Sequence, residues 1–278
     1  MGEGVMLVWF VLTGLSIAFV SVDIRSTPAH PVLKWAFMIL ALFAGPVAAF
    51  FYVVGCREPL RGSHEAFVAV RWRQVLGSTM HCAAGDGLGI IAGAAVAAHW
   101  RMTTWADLSL EYVLGFGFGW AVFQALAMRE MAGGSYLRSL RTTFVPEFLS
   151  MNLLMAGMVV TRRSLMPHMD GAADPRHAGF WFIMSLALIA GFILAYPMNW
   201  WLVAKGLKHG MITVRPAGQL PGRSIVSTGD QTSSLPPHAS HGERHPAVVV
   251  SSAAKVGMTI LSTACLTIGI ALATWMSR

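Results

Sequence analysis

The stretch Thr79–Trp100 (TMHCAAGDGLGIIAGAAVAAHW) is 22 residues long, contains one carboxylate, Asp86, and limits the possible folds more than any other segment. Its length and apolarity fit one crossing of a bilayer. A carboxylate inside such a span costs about 2.5–3.5 kcal/mol to insert, so it needs a partner and marks a functional position. Gly85, Gly89, Gly93 and Ala97 fall four residues apart, on one face of the helix. Lipid gives helices no hydrophobic reason to associate, whereas small side chains let backbones approach closely. This face therefore predicts packing against other helices.

Composition extends the inference to the whole chain. Of 278 residues, 55% are hydrophobic and 12% charged, with a mean hydropathy of +0.59; soluble domains carry about 25% charged residues. The pattern is that of an all-α, polytopic integral membrane protein. The net charge of +7 then reads as topology-setting Lys and Arg in loops, not as a nucleic-acid footprint. Cys56, Cys82 and Cys265 form no CxxC pair, so neither a disulfide framework nor a zinc finger is indicated. No P-loop, HExxH, nucleophile elbow or dinucleotide fingerprint is present. The run Gly115-Phe-Gly-Phe-Gly119 lies within a span, where close helix packing explains it. Nothing points to a soluble active site, and a non-enzymatic role is the expectation.

Seven spans are predicted, at about 5–22, 35–55, 79–100, 106–128, 146–160, 179–204 and 253–275. The amino terminus lacks a basic n-region, so the first segment reads as a retained span. Gly45-Pro46 predicts a kink in the second, and His64–Leu76 a short interfacial helix after it. The apolar part of the fifth span is short, so its helix must begin in the preceding polar segment. The domain organisation expected is two N-terminal helices with an interfacial loop (1–77), a four-helix core (78–212), a disordered His-, Pro- and Ser-rich linker (213–252) and a last helix (253–278). Seven crossings put the termini on opposite sides. Lys and Arg divide 13 against 7 between the two sides, which places the N-terminus and the linker in the cytoplasm and the C-terminus outside.

Alternating spans bring several polar residues to one membrane level. They are His81, Cys82 and Asp86 on the third span, and Gln124, Met128 and Arg129 on the fourth. Glu147 and Met151 follow on the fifth, and Asn199 on the sixth. Cys82 and Asp86 are four apart and share a helix face, as do Glu147 and Met151. Thiolate and thioether ligands beside imidazole suit Cu(I), with Zn or Fe as alternatives. Plainer roles exist for each. Methionine fills gaps in helical cores. A carboxylate in the first turn of a helix, as Glu147 is after Pro146, is favoured by the dipole alone. Arg129 offers Asp86 or Glu147 a structural salt bridge in place of a ligand site.

The elements HCAAGDGLG (81–89) and FWFIMSLALIAGFILAYPMNWWLVAKGLKHGM (180–211) resemble a prokaryotic integral-membrane family known as domain of unknown function 4396. The family's P-x-N-W-W-L run corresponds to Pro197, Asn199, Trp200, Trp201 and Leu202. Its G-x-K-x-x-M run corresponds to Gly206, Lys208 and Met211. The resemblance implies a four-helix domain in a prokaryotic cell membrane and no assigned reaction. The residues themselves leave two main functions as expectations, with a redox or metal-dependent membrane enzyme as a less favoured third. In the first, the chain binds or transports a metal or small cation, copper or another transition metal, through His81, Cys82, Asp86, Glu147 and Met151. In the second, it is a scaffold whose glycine faces (Gly85, Gly89, Gly93, Gly115, Gly119) dock a partner membrane protein or a second copy. The linker's composition and charge predict cleavage by protease in inside-out vesicles and protection in intact cells; the reverse pattern would invert the orientation.

Overall fold

The computed structural model describes residues 2–129, 132–211, 213–214 and 250–276. Most of the segment read as a linker, 215–249, lies outside them. The helices are α1 (Gly2–Asp23), α2 (Pro31–Gly55), a short α3 (His64–Val68), α4 (Arg71–His99), α5 (Thr104–Phe116), α6 (Ala125–Met128), α7 (Tyr136–Leu165), α8 (Ala178–Ala204) and α9 (Ser252–Met276). A π-helical stretch, Gly117–Gln124, joins α5 to α6 as one continuous rod. Seven helices among the described residues are long and apolar enough to cross a membrane. The fold is all-α and polytopic. An isolated β-bridge pairs Ala29 with Thr213.

Burial orders the bundle. The most apolar windows of α4 and α7 are 78% and 72% buried, against 17% for α1 and for α9, so α4 and α7 form the interior and α1 and α9 flank it. The glycine ridge explains why α4 sits inside. A Cβ added at Gly85 would lie 2.8 Å from Gly119 Cα, at Gly89 2.7 Å from Gly115 Cα, and at Gly93 2.8 Å from Glu111 Cα. The backbones of α4 and the α5–π rod therefore touch over three successive turns, and Gly85, Gly89, Gly93, Gly115 and Gly119 are used within the chain. The same device recurs between α7 and α8, where a Cβ on Gly157 would come within 2.7 Å of Gly191 Cα.

One helix start differs from expectation and one meets it. α4 begins at Arg71, absorbing the second half of the predicted interfacial helix and leaving α3 as its first half. α7 begins at Tyr136, ten residues before Pro146, which gives the short fifth apolar stretch the length it needs.

The larger correction concerns α2. Gly45 adopts φ 49° and ψ −125°, left-handed backbone that favours glycine, and Pro46 supplies no N–H to continue the ladder. The helix does not merely kink; it turns back. The ring of Phe37 in its first half lies 5.5 Å from that of Tyr52 in its second. Tyr52 Oη donates to Asp23 Oδ2 at 2.7 Å and shares a 2.8 Å hydrogen bond with Thr27, while Arg57 pairs with Asp23 at 2.9 Å. Both ends of α2 thus lie at the level where α1 ends. Such a re-entrant segment is tolerated where protein buries its turn. Here Ala44, Gly45 and Ala48 are buried, with Gly45 against Thr13 of α1.

Turning α2 back reverses the placement of α1 relative to the core. Trp9, near the start of α1, packs edge-on at 6.0 Å against Phe182, near the start of α8. Ser164 Oγ donates to Met276 Sδ at 3.4 Å, so α9 ends beside the end of α7. The loop 166–177 joins the end of α7 to the start of α8. The two ends of the described chain therefore share one level, and the expectation of termini on opposite sides is overturned.

Two measurements check this arrangement. Gly89→Leu drives a side chain into the α5 backbone, and overpacking of this kind costs about 1–3 kcal/mol or more; Gly117→Ala, with nothing within 4 Å of its Cβ, is tolerated. Thermal unfolding in detergent separates the two. Tags fused to the two ends are expected to be cut by protease from the same side of sealed vesicles. A split result would refute the turned-back α2.

Candidate cation site

α4 presents Cys82 and Asp86 one turn apart toward α7, where Glu147 follows Pro146. Cys82 Sγ donates to Asp86 Oδ2 at 3.0 Å. The ligand atoms of Cys82, Asp86 and Glu147 all lie within 4.8 Å of one another, and all three residues are buried. Lys208 Nζ lies 2.9 Å from Glu147 Oε2, with 1% and 0% of the two side chains exposed. Ser150, one turn along α7 from Glu147, shares a 3.1 Å hydrogen bond with Cys82 and accepts one from Asn199 Nδ2 at 2.7 Å. Asn199 also donates to Ala195 O at 3.1 Å, so it ties α8, which carries Pro197, to the cluster.

The π-helical stretch makes room for the carboxylates. A π turn takes more residues than an α turn, and such bulges recur at functional sites. Here it sets Gly119 against the carboxylates of both Asp86 and Glu147, where any larger side chain would collide with them. Two carboxylates face one ammonium in a low-dielectric interior, leaving one negative charge to be matched by a proton or a cation. Asp86 Oδ1, Glu147 Oε1 and Asn199 Oδ1 are buried with no hydrogen-bond partner. Buried polar atoms are nearly always satisfied, so these oxygens are candidates for a shared proton or a ligand.

The remaining candidates are placed as follows. Met151 is buried on the same α7 face, its methyl end close to Gly115. His81 packs edge-on against Phe123 at 5.7 Å, with Nε2 buried and unpartnered. With Ser78, Gln124, Met128 and His209 it lines a cavity of about 40 Å³, enough for a few waters. Arg129 is not brought in: it lies exposed, donating to Gly134 O at 3.0 Å. The cation beside the carboxylates is Lys208. α8 ends at Ala204 and Gly206 takes φ 66°. The chain then reverses, with Leu207 N donating to Leu202 O at 2.9 Å, which carries Lys208 back beneath the bundle. Composition assigns a lysine after an apolar helix to the membrane surface, so only its place in the G-x-K-x-x-M run could have singled it out.

Residues 71–208 match the family model described as Domain of unknown function (DUF4396). No curated protein and no solved structure matches the chain. The matched stretch opens on the first residue of α4 and closes on Lys208, so it takes in Cys82, Asp86, Glu147, Ser150 and Asn199. Over residues 71–208, about half its length, the chain belongs to the DUF4396 family.

Proposed function

We propose that this domain binds a divalent transition-metal cation at Cys82, Asp86 and Glu147 and moves it through the bundle. The observation that carries the reading is the convergence of those three ligand atoms within 4.8 Å. Donors shared by one ion, 2.0–2.3 Å from it, stand about 3–4.5 Å apart, so a small closure completes the set. One sulfur with two carboxylate oxygens suits a borderline divalent ion better than Cu(I), which prefers sulfur and imidazole throughout. Copper fits only if Met151 and His81 also turn inward.

Three features favour movement over static binding. The His81 cavity gives the cluster an adjoining space at one end of the bundle. The backbone departs from regular helix at the π stretch and at Gly45, as helices do in transporters. Lys208 is a tethered positive charge that holds Glu147 when no ion does. Moving Arg25 and Lys34 to the side of α2's two ends changes the charge division from 13 against 7 to 15 against 5. The positive-inside rule then favours a cytoplasmic site and linker and both termini outside, while the family resemblance is what favours a prokaryotic inner membrane. Docking through the glycine faces has less support, since those faces are spent on internal packing.

Elemental analysis of the purified protein in mild detergent tests the reading. About one transition-metal ion per chain is expected, and Cys82→Ser with Asp86→Asn removes it. A parent that stays metal-free in saturating Zn, Mn or Co sinks the proposal. Lys208→Met leaves two buried carboxylates uncompensated, which costs about 3–5 kcal/mol. Added divalent cation recovers part of that loss, because a ligand that binds only the folded state stabilises it. Absence of recovery would make Lys208 purely structural.

A further inference from the structure

The end of the bundle opposite Lys208 holds a second polar feature. A cavity of about 610 Å³ opens between the end of α4, the start of α5, the end of α7 and the loop before α8. That volume falls in the range of small-molecule sites. Its charged lining is Arg101, Arg162, Arg163 and Arg176 with Asp107 and Asp174, beside His99.

These charges divide into a floor and a wall. Arg162 is 8% exposed and paired with Asp107 and with Glu111 beneath it, so the floor locks α5 to α7 and keeps one carboxylate charge in excess. Arg163 reaches the same Asp107 oxygen, already taken by Arg162, at 3.3 Å. Arg176 pairs with its near neighbour Asp174 at 2.8 Å on the surface. Arg101 makes no side-chain hydrogen bond or ion pair with any described residue. Counting Glu111, four guanidiniums face three carboxylates; Arg163 offsets the floor's second carboxylate and Asp174 matches Arg176, so the unmatched charge sits at the mouth on Arg101, with Arg163 beside it.

Arg101 carries a second, independent signal. It holds φ 50°, the one left-handed non-glycine among the described residues. It sits just past the end of α4, a position that glycine usually fills. Backbone held in a sparsely populated region points to a requirement for the side chain. Trp100, Trp105 and Trp275 are exposed at this same end, and exposed tryptophans mark the headgroup level of a membrane. The cavity therefore opens where phosphates lie.

We infer that this cavity binds an anionic phosphate group through Arg101 and Arg163, with Arg162 as its fixed floor. Paired guanidinium N–H groups match phosphate oxygens in spacing and charge. The phosphate has two possible sources, the headgroup of an anionic lipid or a soluble phosphate.

Thermal unfolding of the full chain in phosphatidylcholine nanodiscs tests this. One arm replaces part of the lipid with phosphatidylglycerol; the other adds inorganic phosphate against chloride at equal ionic strength. The parent is expected to melt several degrees higher in at least one arm. A shift with phosphatidylglycerol alone identifies a headgroup, one with phosphate alone a soluble ligand, and shifts in both show that the phosphate group suffices. Arg163→Gln raises the half-saturating concentration about tenfold or more. Arg101→Gly does the same while melting no lower than the parent without ligand, because glycine suits φ 50°. No shift in either arm, or an undiminished shift in Arg101→Gly, overturns the inference.

Discussion

The ion pair between Lys208 and Glu147 is the contact on which the interior of the bundle depends. A lone carboxylate on α4 and another on α7 would each be expensive in a membrane core. Together they are worse, unless a positive charge is delivered to them from outside the spans. The chain provides it by reversing after α8, so that a residue nominally in a loop becomes a core residue. Ser150 and Asn199 then extend the cluster sideways through neutral hydrogen bonds, and α4, α7 and α8 are fixed against one another at a single level. Because both carboxylates face one ammonium, the cluster stays short of one charge, and that shortfall gives the packing a chemistry.

Glycine sets the distances. The ridge on α4 brings its backbone against the α5–π rod, and the π stretch places Gly119 where only a hydrogen fits beside Asp86 and Glu147. Close approach and buried charge are therefore the same design: without the glycines the rod would stand farther away, and the carboxylates would face lipid or void. At the other end, Arg162 with Asp107 and Glu111 repeats the arrangement between α5 and α7. Each end of the interior is thus pinned by an ion-pair cluster, and the apolar length between them is pinned by backbone contact.

Much of this was legible in the residues. Helices of span length, the glycine ridge and the common level of Cys82, Asp86, Glu147 and Asn199 follow from apolar length, four-residue spacing and alternation of direction. These are local or one-dimensional signals. Two features were not legible, for physical reasons. Gly45-Pro46 reads as a kink because many proline-interrupted spans only bend; the sign of φ at Gly45 decides between bend and reversal, and sequence does not carry it. Arg129 reads as the obvious partner for the carboxylates because it ends a span at the right level. Lys208 displaces it because the turn at Gly206 redirects the chain, a tertiary event invisible to span counting.

The reversal of α2 has a consequence for how the protein is made. A chain threaded into the membrane from its N-terminus offers α2 to the lipid before α4 and α8 have been synthesised. At that moment its 25 residues are an acceptable crossing in their own right. The partners that favour the doubled-back form come later: Leu76, against Gly55; Phe192, stacked at 5.3 Å on Phe51; and Thr213, bridged to Ala29. Topology at this end of the molecule is thus settled retroactively, by residues as far along the chain as Thr213, 184 positions after the Ala29 it pairs with just ahead of α2.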